Sequence, residues 1–139
     1  MQTCDSSSRA RVLAVVNQKG GVGKSTTAVN LAACLGLGGR STLLIDLDPQ
    51  GNATSGFGLN VGQRNVCLYD AMLSDTPLRD IIEPTEVEHV FVVPATIQLA
   101  GAEIELVSAL SRENRLKNIL APLVADYDFI IIDLSLIHI

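Results

Sequence analysis

The chain has 139 residues, 47% of them hydrophobic and 18% charged, with a formal net charge of −5. That length suits one domain, and that composition excludes disorder as a whole-chain description. An acidic domain is a poor general ligand for nucleic acid or anionic lipid, local basic patches aside.

Residues 1–10 are polar and serine-rich and read as a disordered tail. They lack the apolar stretch of a secretory leader, so a cytoplasmic protein is expected. The longest aliphatic runs, at 12–16 and 130–132, fall far short of the about 20 residues that cross a bilayer. Cys4, Cys34 and Cys67 are odd in number and widely spaced, which fits reduced thiols better than a metal or disulfide framework.

Residues 12–16 form an apolar, β-branched run and predict a buried strand. A loop follows at 17–23. From Lys24 to about Leu37 the pattern is helical, with Ala28, Leu31, Ala32 and Leu35 at spacings of three and four. Gly36, Gly38 and Gly39 are expected to stop that helix. Residues 42–45 predict a second strand ending at Asp46, and 51–64 a loop rich in glycine and asparagine. Short helices are expected at 68–73 and 78–82, the latter with Pro77 near its start. Residues 90–93 predict a third strand closed by Pro94. Helices are expected at 98–110 and 113–124, then a fourth strand at 129–132 ending at Asp133.

Strands alternate with helices, and the strands are apolar throughout rather than on one face. This predicts an α/β fold, a parallel sheet with helices on both faces. Such sheets bind ligands at the carboxyl ends of their strands. Asp46, Asp133 and a glycine-rich loop all fall there.

That loop is Lys19-Gly20-Gly21-Val22-Gly23-Lys24-Ser25-Thr26. Ten of the eleven glycines lie between Gly20 and Gly62, and two of the three lysines sit in this loop. Glycines let backbone N–H groups turn inward, and a helix N-terminus adds its free N–H groups and positive dipole end. Lys24 has the place to reach the β- and γ-phosphates and Ser25 the place to ligate Mg²⁺. The ordinary phosphate-loop pattern carries glycine at position 18. This chain has Gln18, and an extra lysine at 19.

These residues resemble the deviant Walker A motif of the ParA/MinD superfamily of P-loop NTPases. Asn17-Gln18-Lys19 looks most like the ParA/Soj chromosome- or plasmid-partitioning branch. The resemblance runs from about Arg11 to Asp133. It takes in Asp46-Leu47-Asp48-Pro49-Gln50-Gly51-Asn52-Ala53-Thr54 and Pro94-Ala95-Thr96-Ile97-Gln98-Leu99-Ala100-Gly101-Ala102-Glu103. It implies ATP and Mg²⁺ as ligands and ATP hydrolysis as the activity. Lys19 would reach the partner's nucleotide across an ATP-sandwiched homodimer. Asp48 would orient the attacking water, Asp46 would support the Mg²⁺ shell, and Asp133 would hold Mg²⁺ in Walker B fashion. The resemblance further implies a ParB-type partner, nonspecific DNA binding through a C-terminal half, and a cytoplasmic, nucleoid-associated protein without membrane attachment. A MinD-like membrane-cycling regulator of division is the alternative. That branch usually has glycine where this chain has Gln18.

Glu103, Glu105, Arg112, Arg115 and Lys117 read as solvated helix faces, and His89 and His138 have no ligand pattern. Past Asp133 the family continues with Thr-Pro-Pro and about as many residues again. This chain reads Leu134-Ser135-Leu136-Ile137-His138-Ile139, with no glycine or proline to turn the strand, so it should run straight on. The six residues match one reading frame of a widely used transposon-derived sequencing adapter. The expected division is therefore a tail at 1–10, the N-terminal part of a ParA-like ATPase domain at 11–133, and adapter read-through at 134–139. A half-domain of this kind should expose an unpaired sheet edge and be poorly soluble or inactive.

Overall fold

A computed structural model describes residues 10–17, 24–47, 51–59, 77–94 and 118–135. Its elements in chain order are β1 (Arg11–Asn17), α1 (Lys24–Leu37), β2 (Thr42–Asp46), α2 (Asn52–Gly56), a 3₁₀ turn (Leu78–Ile81), β3 (Glu83–Pro84), β4 (Val90–Val93), a second 3₁₀ turn (Ala121–Leu123) and β5 (Phe129–Ser135). The expected helices at 68–73 and 98–110 lie outside the described residues. Of the one expected at 113–124, residues 118–120 are helical and tighten into the 3₁₀ turn that holds Pro122.

The strands form one sheet in the order β1-β5-β2-β4-β3. β1 pairs with β5, β5 with β2, and β2 with β4, all parallel. This is the expected sheet with one addition. β3 pairs antiparallel to β4, Glu83 opposite Val92 and Pro84 opposite Phe91. Residues 85–89 make the return, too few for the crossover that a parallel partner needs. A two-residue strand containing proline has no periodicity to read, which is why the sequence shows only four strands.

Alternate side chains of β2, β4 and β5 enter opposite cores. Leu43, Ile45, Val93, Ile130 and Ile132 join Leu78, Ile81, Leu120 and Leu123 on one face. Leu44, Val90, Val92 and Ile131 join Ala28, Ala32 and Ala53 on the other. Both faces are thus covered, and this explains the unbroken apolar strands. Leu31 and Leu35 of α1 pack at the margin of the second cluster. β1 lies at one end of the strand order, with Val12 46% exposed. β5 does not stop at Asp133. It runs on to Ser135, with Leu134 opposite Val16 and Ser135 opposite Asn17.

The end of α1 corrects the reading of its glycines. Gly36 is inside the helix. Gly39, at φ 84°, is the left-handed residue that ends it. The Gly39 N–H donates to the Gly36 carbonyl at 2.9 Å and the Arg40 N–H to the Leu35 carbonyl at 2.9 Å, the paired bonds of a Schellman end. Gly36 serves close packing instead. A Cβ there would be driven into Val90 Cγ2 and would stand 2.8 Å from the Glu88 carbonyl oxygen. Gly36→Ala is expected to lower stability by about 1–3 kcal/mol through overpacking, despite alanine's better helix propensity. Gly38→Ala, whose Cβ would meet the nearest carbonyl oxygens at 3.5 Å, should stay within about 0.5 kcal/mol of the unmodified chain. Urea unfolding of the two variants side by side checks both values.

Candidate nucleotide site

β1 ends at Asn17 and α1 opens at Lys24, so six residues join a strand's carboxyl end to a helix N-terminus. That is the setting in which a glycine-rich run cradles phosphate. Residues Lys19, Gly20, Gly21, Val22 and Gly23 lie outside the described residues. Lys24 and Ser25 are the first two residues of α1, and Thr26, the third, is exposed. The helix is seated on the sheet by Ala28 and Ala32, both fully buried against Leu44, Val90, Val92 and Ile131. Small side chains here bring the helix axis close to the strands, so its first turn is held over the strand ends.

Asp46 and Asp133 meet at those ends. They are register partners in the β2–β5 pair, and both are fully buried. The Leu47 N–H donates to the Asp133 carbonyl at 3.0 Å, carrying the pairing one residue past the end of β2. Two carboxylates side by side in a buried setting repel unless a proton, donors or a cation offsets them. Hard oxygen donors of this kind suit Mg²⁺, so the pair fits the ion. Among the described residues no group of three or more His, Cys, Asp or Glu side chains is placed to hold a metal. Asp48 lies outside the described residues.

The Asp46 carboxylate has a role that its position in the sequence does not reveal. Its Oδ2 accepts the Thr54 backbone N–H at 2.8 Å and the Thr54 hydroxyl at 2.5 Å. Thr54 stands in α2, inside the stretch expected to be a loop. Asn, Ala, Thr, Ser and Gly give that stretch no apolar period, so the helix was not legible. It forms because Ala53 and Thr54 are buried and because a carboxylate outside the helix satisfies one of its leading N–H groups.

The remaining candidates lie apart. Cys34 is an exposed free thiol on α1. His89 is exposed, with Nε2 3.8 Å from Glu88 Oε1. Glu103, Glu105, Arg112, Arg115, Lys117, His138, Cys4 and Cys67 are outside the described residues. An open groove of 380 Å³, lined by Arg79, Phe91, Asp126 and Tyr127 among others, lies toward the amino ends of the strands, away from the carboxylates. Burial pushes the Tyr127 phenol above its usual range, the Asp126 charge adds to this, and the Arg79 guanidinium opposes it.

An AAA domain family, AAA_31, matches residues 10–136. The sporulation initiation inhibitor protein Soj of Bacillus subtilis is 56% identical over 123 residues, which cover 88% of this chain and 49% of that protein. The chromosome partitioning protein ParA of Myxococcus xanthus is 53% identical over 123 residues, 88% of this chain and 44% of that one. The chain belongs to the ParA/Soj type of the AAA_31 family.

Solved structures agree on the fold. The cobyrinic acid a,c-diamide synthase of Mycobacterium smegmatis, with bound ATP analog and magnesium, superposes with TM-score 0.83 at 43% identity, over 91% of this chain and 51% of that one. The septum site-determining protein MinD of Pyrococcus horikoshii, complexed with Mg-ADP, superposes with TM-score 0.72 at 30% identity, over 89% and 48%. This ParA/Soj-type chain spans about half the length of the curated relatives it matches. No described helix is long and apolar enough to cross a membrane.

Proposed function

We propose that this chain is the nucleotide-binding half of a partition ATPase that converts ATP and water to ADP and phosphate. The observation that carries this reading is the meeting of Asp46 and Asp133 at adjacent buried strand ends, in a chain of ParA/Soj type whose glycine-rich loop leads into α1. Backbone N–H groups of residues 20–25 and the Lys24 ammonium bind the phosphates. Ser25, Asp46 and Asp133 are the groups that would hold Mg²⁺, which when bound neutralises charge developing on the phosphoryl oxygens. Asp48 orients the attacking water, and Lys19 stabilises the transferring group on the partner's nucleotide. The full-length protein would dimerise on ATP, bind DNA nonspecifically and respond to a ParB-type partner in the nucleoid-associated cytoplasm. The MinD-like alternative draws less support, because the relatives named Soj and ParA are 56% and 53% identical to this chain whereas the MinD structure is 30% identical.

The test has two stages. The source DNA is re-read across codons 128–145 with a library method that uses no transposon adapter. The frame is expected to continue from Asp133 into Thr-Pro-Pro and on for about as many residues again, since the 123 residues matched to Soj cover 49% of that protein. A genuine stop after Ile139 would withdraw the adapter reading of 134–139. The full-length protein is then assayed for Mg²⁺-dependent ATP turnover with and without DNA and a ParB-type protein. Stimulation by the two together is expected. Turnover indifferent to both would remove the partition role and leave a nucleotide-binding domain.

A further inference from the structure

Asp46 closes β2, and in doing so it ties the chain back on itself. Its Oδ2 takes both the N–H and the hydroxyl of Thr54, eight residues on. Both residues are fully buried. Thr54 is the third residue of α2, whose N-cap is Gly51 at φ 67°, with no side chain to cap the helix. The leading N–H groups of a helix have no partner inside it. Asp46 therefore supplies from the strand end the acceptor that a serine or aspartate cap usually supplies, and its charge suits a helix N-terminus.

The segment between the two residues is held at each end. On one side the Leu47 N–H bonds to the Asp133 carbonyl at 3.0 Å, and on the other the Ser55 N–H bonds to the Gly51 carbonyl at 2.9 Å. α2 is in turn pressed on α1. A Cβ at Gly56 would stand 2.9 Å from Val29 Cγ2. Positions 47 and 51 are thus tied to the same frame as the helix that opens at Lys24. Asp48 falls between them in the chain.

We propose that Thr54 is a positioning residue for hydrolysis: with Asp46 it forms a buried clasp that fixes the two ends, at positions 46 and 54, of the span of chain in which Asp48 falls. The proposal rests on the water-orienting role given to Asp48 above. Charge-assisted hydrogen bonds in a dry site are short and strong. Loss of the hydroxyl leaves the Thr54 N–H on Asp46 Oδ2 without the hydroxyl bond beside it and loosens the tie between positions 46 and 54.

The test uses the full-length protein. Thr54→Val keeps the shape and the N–H but removes the hydroxyl, Thr54→Ser keeps the hydroxyl, and Thr54→Ala gives a second hydroxyl-free form. Thr54→Val and Thr54→Ala are expected to lower kcat by about 10- to 100-fold, the scale of a small misplacement of a reacting group. The Kd for ATP should stay within about threefold in both, since binding contacts made equally before and during reaction are untouched. Thr54→Ser should turn over at close to the unmodified rate. The clasp is overturned by unchanged kcat in the hydroxyl-free forms, by a serine variant as slow as they are, or by kcat and ATP affinity falling in parallel. Asp48→Ala, measured beside them, separates the two ideas. Normal turnover there sinks the role of Asp48, whereas a dead Asp48→Ala with a normal Thr54→Val sinks the clasp alone.

Discussion

Asp48→Ala in the full-length protein is expected to lower ATP turnover by about 10²–10³-fold, the scale of removing one well-placed group from a transition state. ATP affinity should remain within about threefold of the unmodified protein. The split follows from where the side chain acts. On the function proposed above, phosphate and Mg²⁺ would be held by the glycine-rich loop, Lys24 and the buried carboxylates, whereas Asp48 would meet the water. A group that acts only on the water is felt in the transition state and little in the bound ground state, so kcat falls and binding persists. Steady-state turnover measured beside ATP titration by a fluorescent analogue checks this. Unchanged turnover would remove Asp48 from the mechanism, and a parallel loss of affinity would make it part of the binding shell instead.

Much of this fold could be read from residue order because its strands are buried on both faces. Residues 12–16, 42–45, 90–93 and 129–132 are apolar without alternation, and the structure places strands at Arg11–Asn17, Thr42–Asp46, Val90–Val93 and Phe129–Ser135. The helical spacing of Ala28 and Ala32 likewise marks the residues that α1 buries. What escaped was set by contacts distant in sequence. Gly36 looks like a helix stop beside Gly38 and Gly39, and only the approach of Val90 and Glu88 shows that it is a packing residue. α2 has no apolar period and depends on an acceptor eight residues upstream. β3 exists because β4 offers it a partner.

The site divides in the same way. Asp46 and Asp133 were marked by standing at the ends of apolar runs, and the sheet makes them register partners. Thr54 lies inside the motif that carries Asp46 and Asp48, yet a threonine in a polar stretch has no spacing that singles it out. Its function as a donor to Asp46 becomes visible once the chain is folded, because the hydrogen bond, not the residue type, defines it.

Lys19→Ala carries the largest expected effect. A cation supplied to a transferring phosphoryl group from outside its own nucleotide loop is worth about 10³–10⁵-fold in turnover, and Lys19→Ala should lose a factor in that range. The assignment of Lys19 to the partner's nucleotide makes a sharper claim than a loss of rate. In a mixed dimer of Lys19→Ala and Asp48→Ala chains, one site has its own Asp48 and receives the partner's Lys19. The other has neither. Mixing the two inactive proteins should therefore restore turnover. At equal amounts the recovery should approach about a quarter of the unmodified rate per chain, because half of the dimers pair unlike chains and each holds one complete site. If Lys19 served its own nucleotide, each chain of the mixed dimer would lack one required group and mixing would restore nothing. The rate of the mixture against those of the separate variants decides between a cation acting across the dimer and one acting within its own chain.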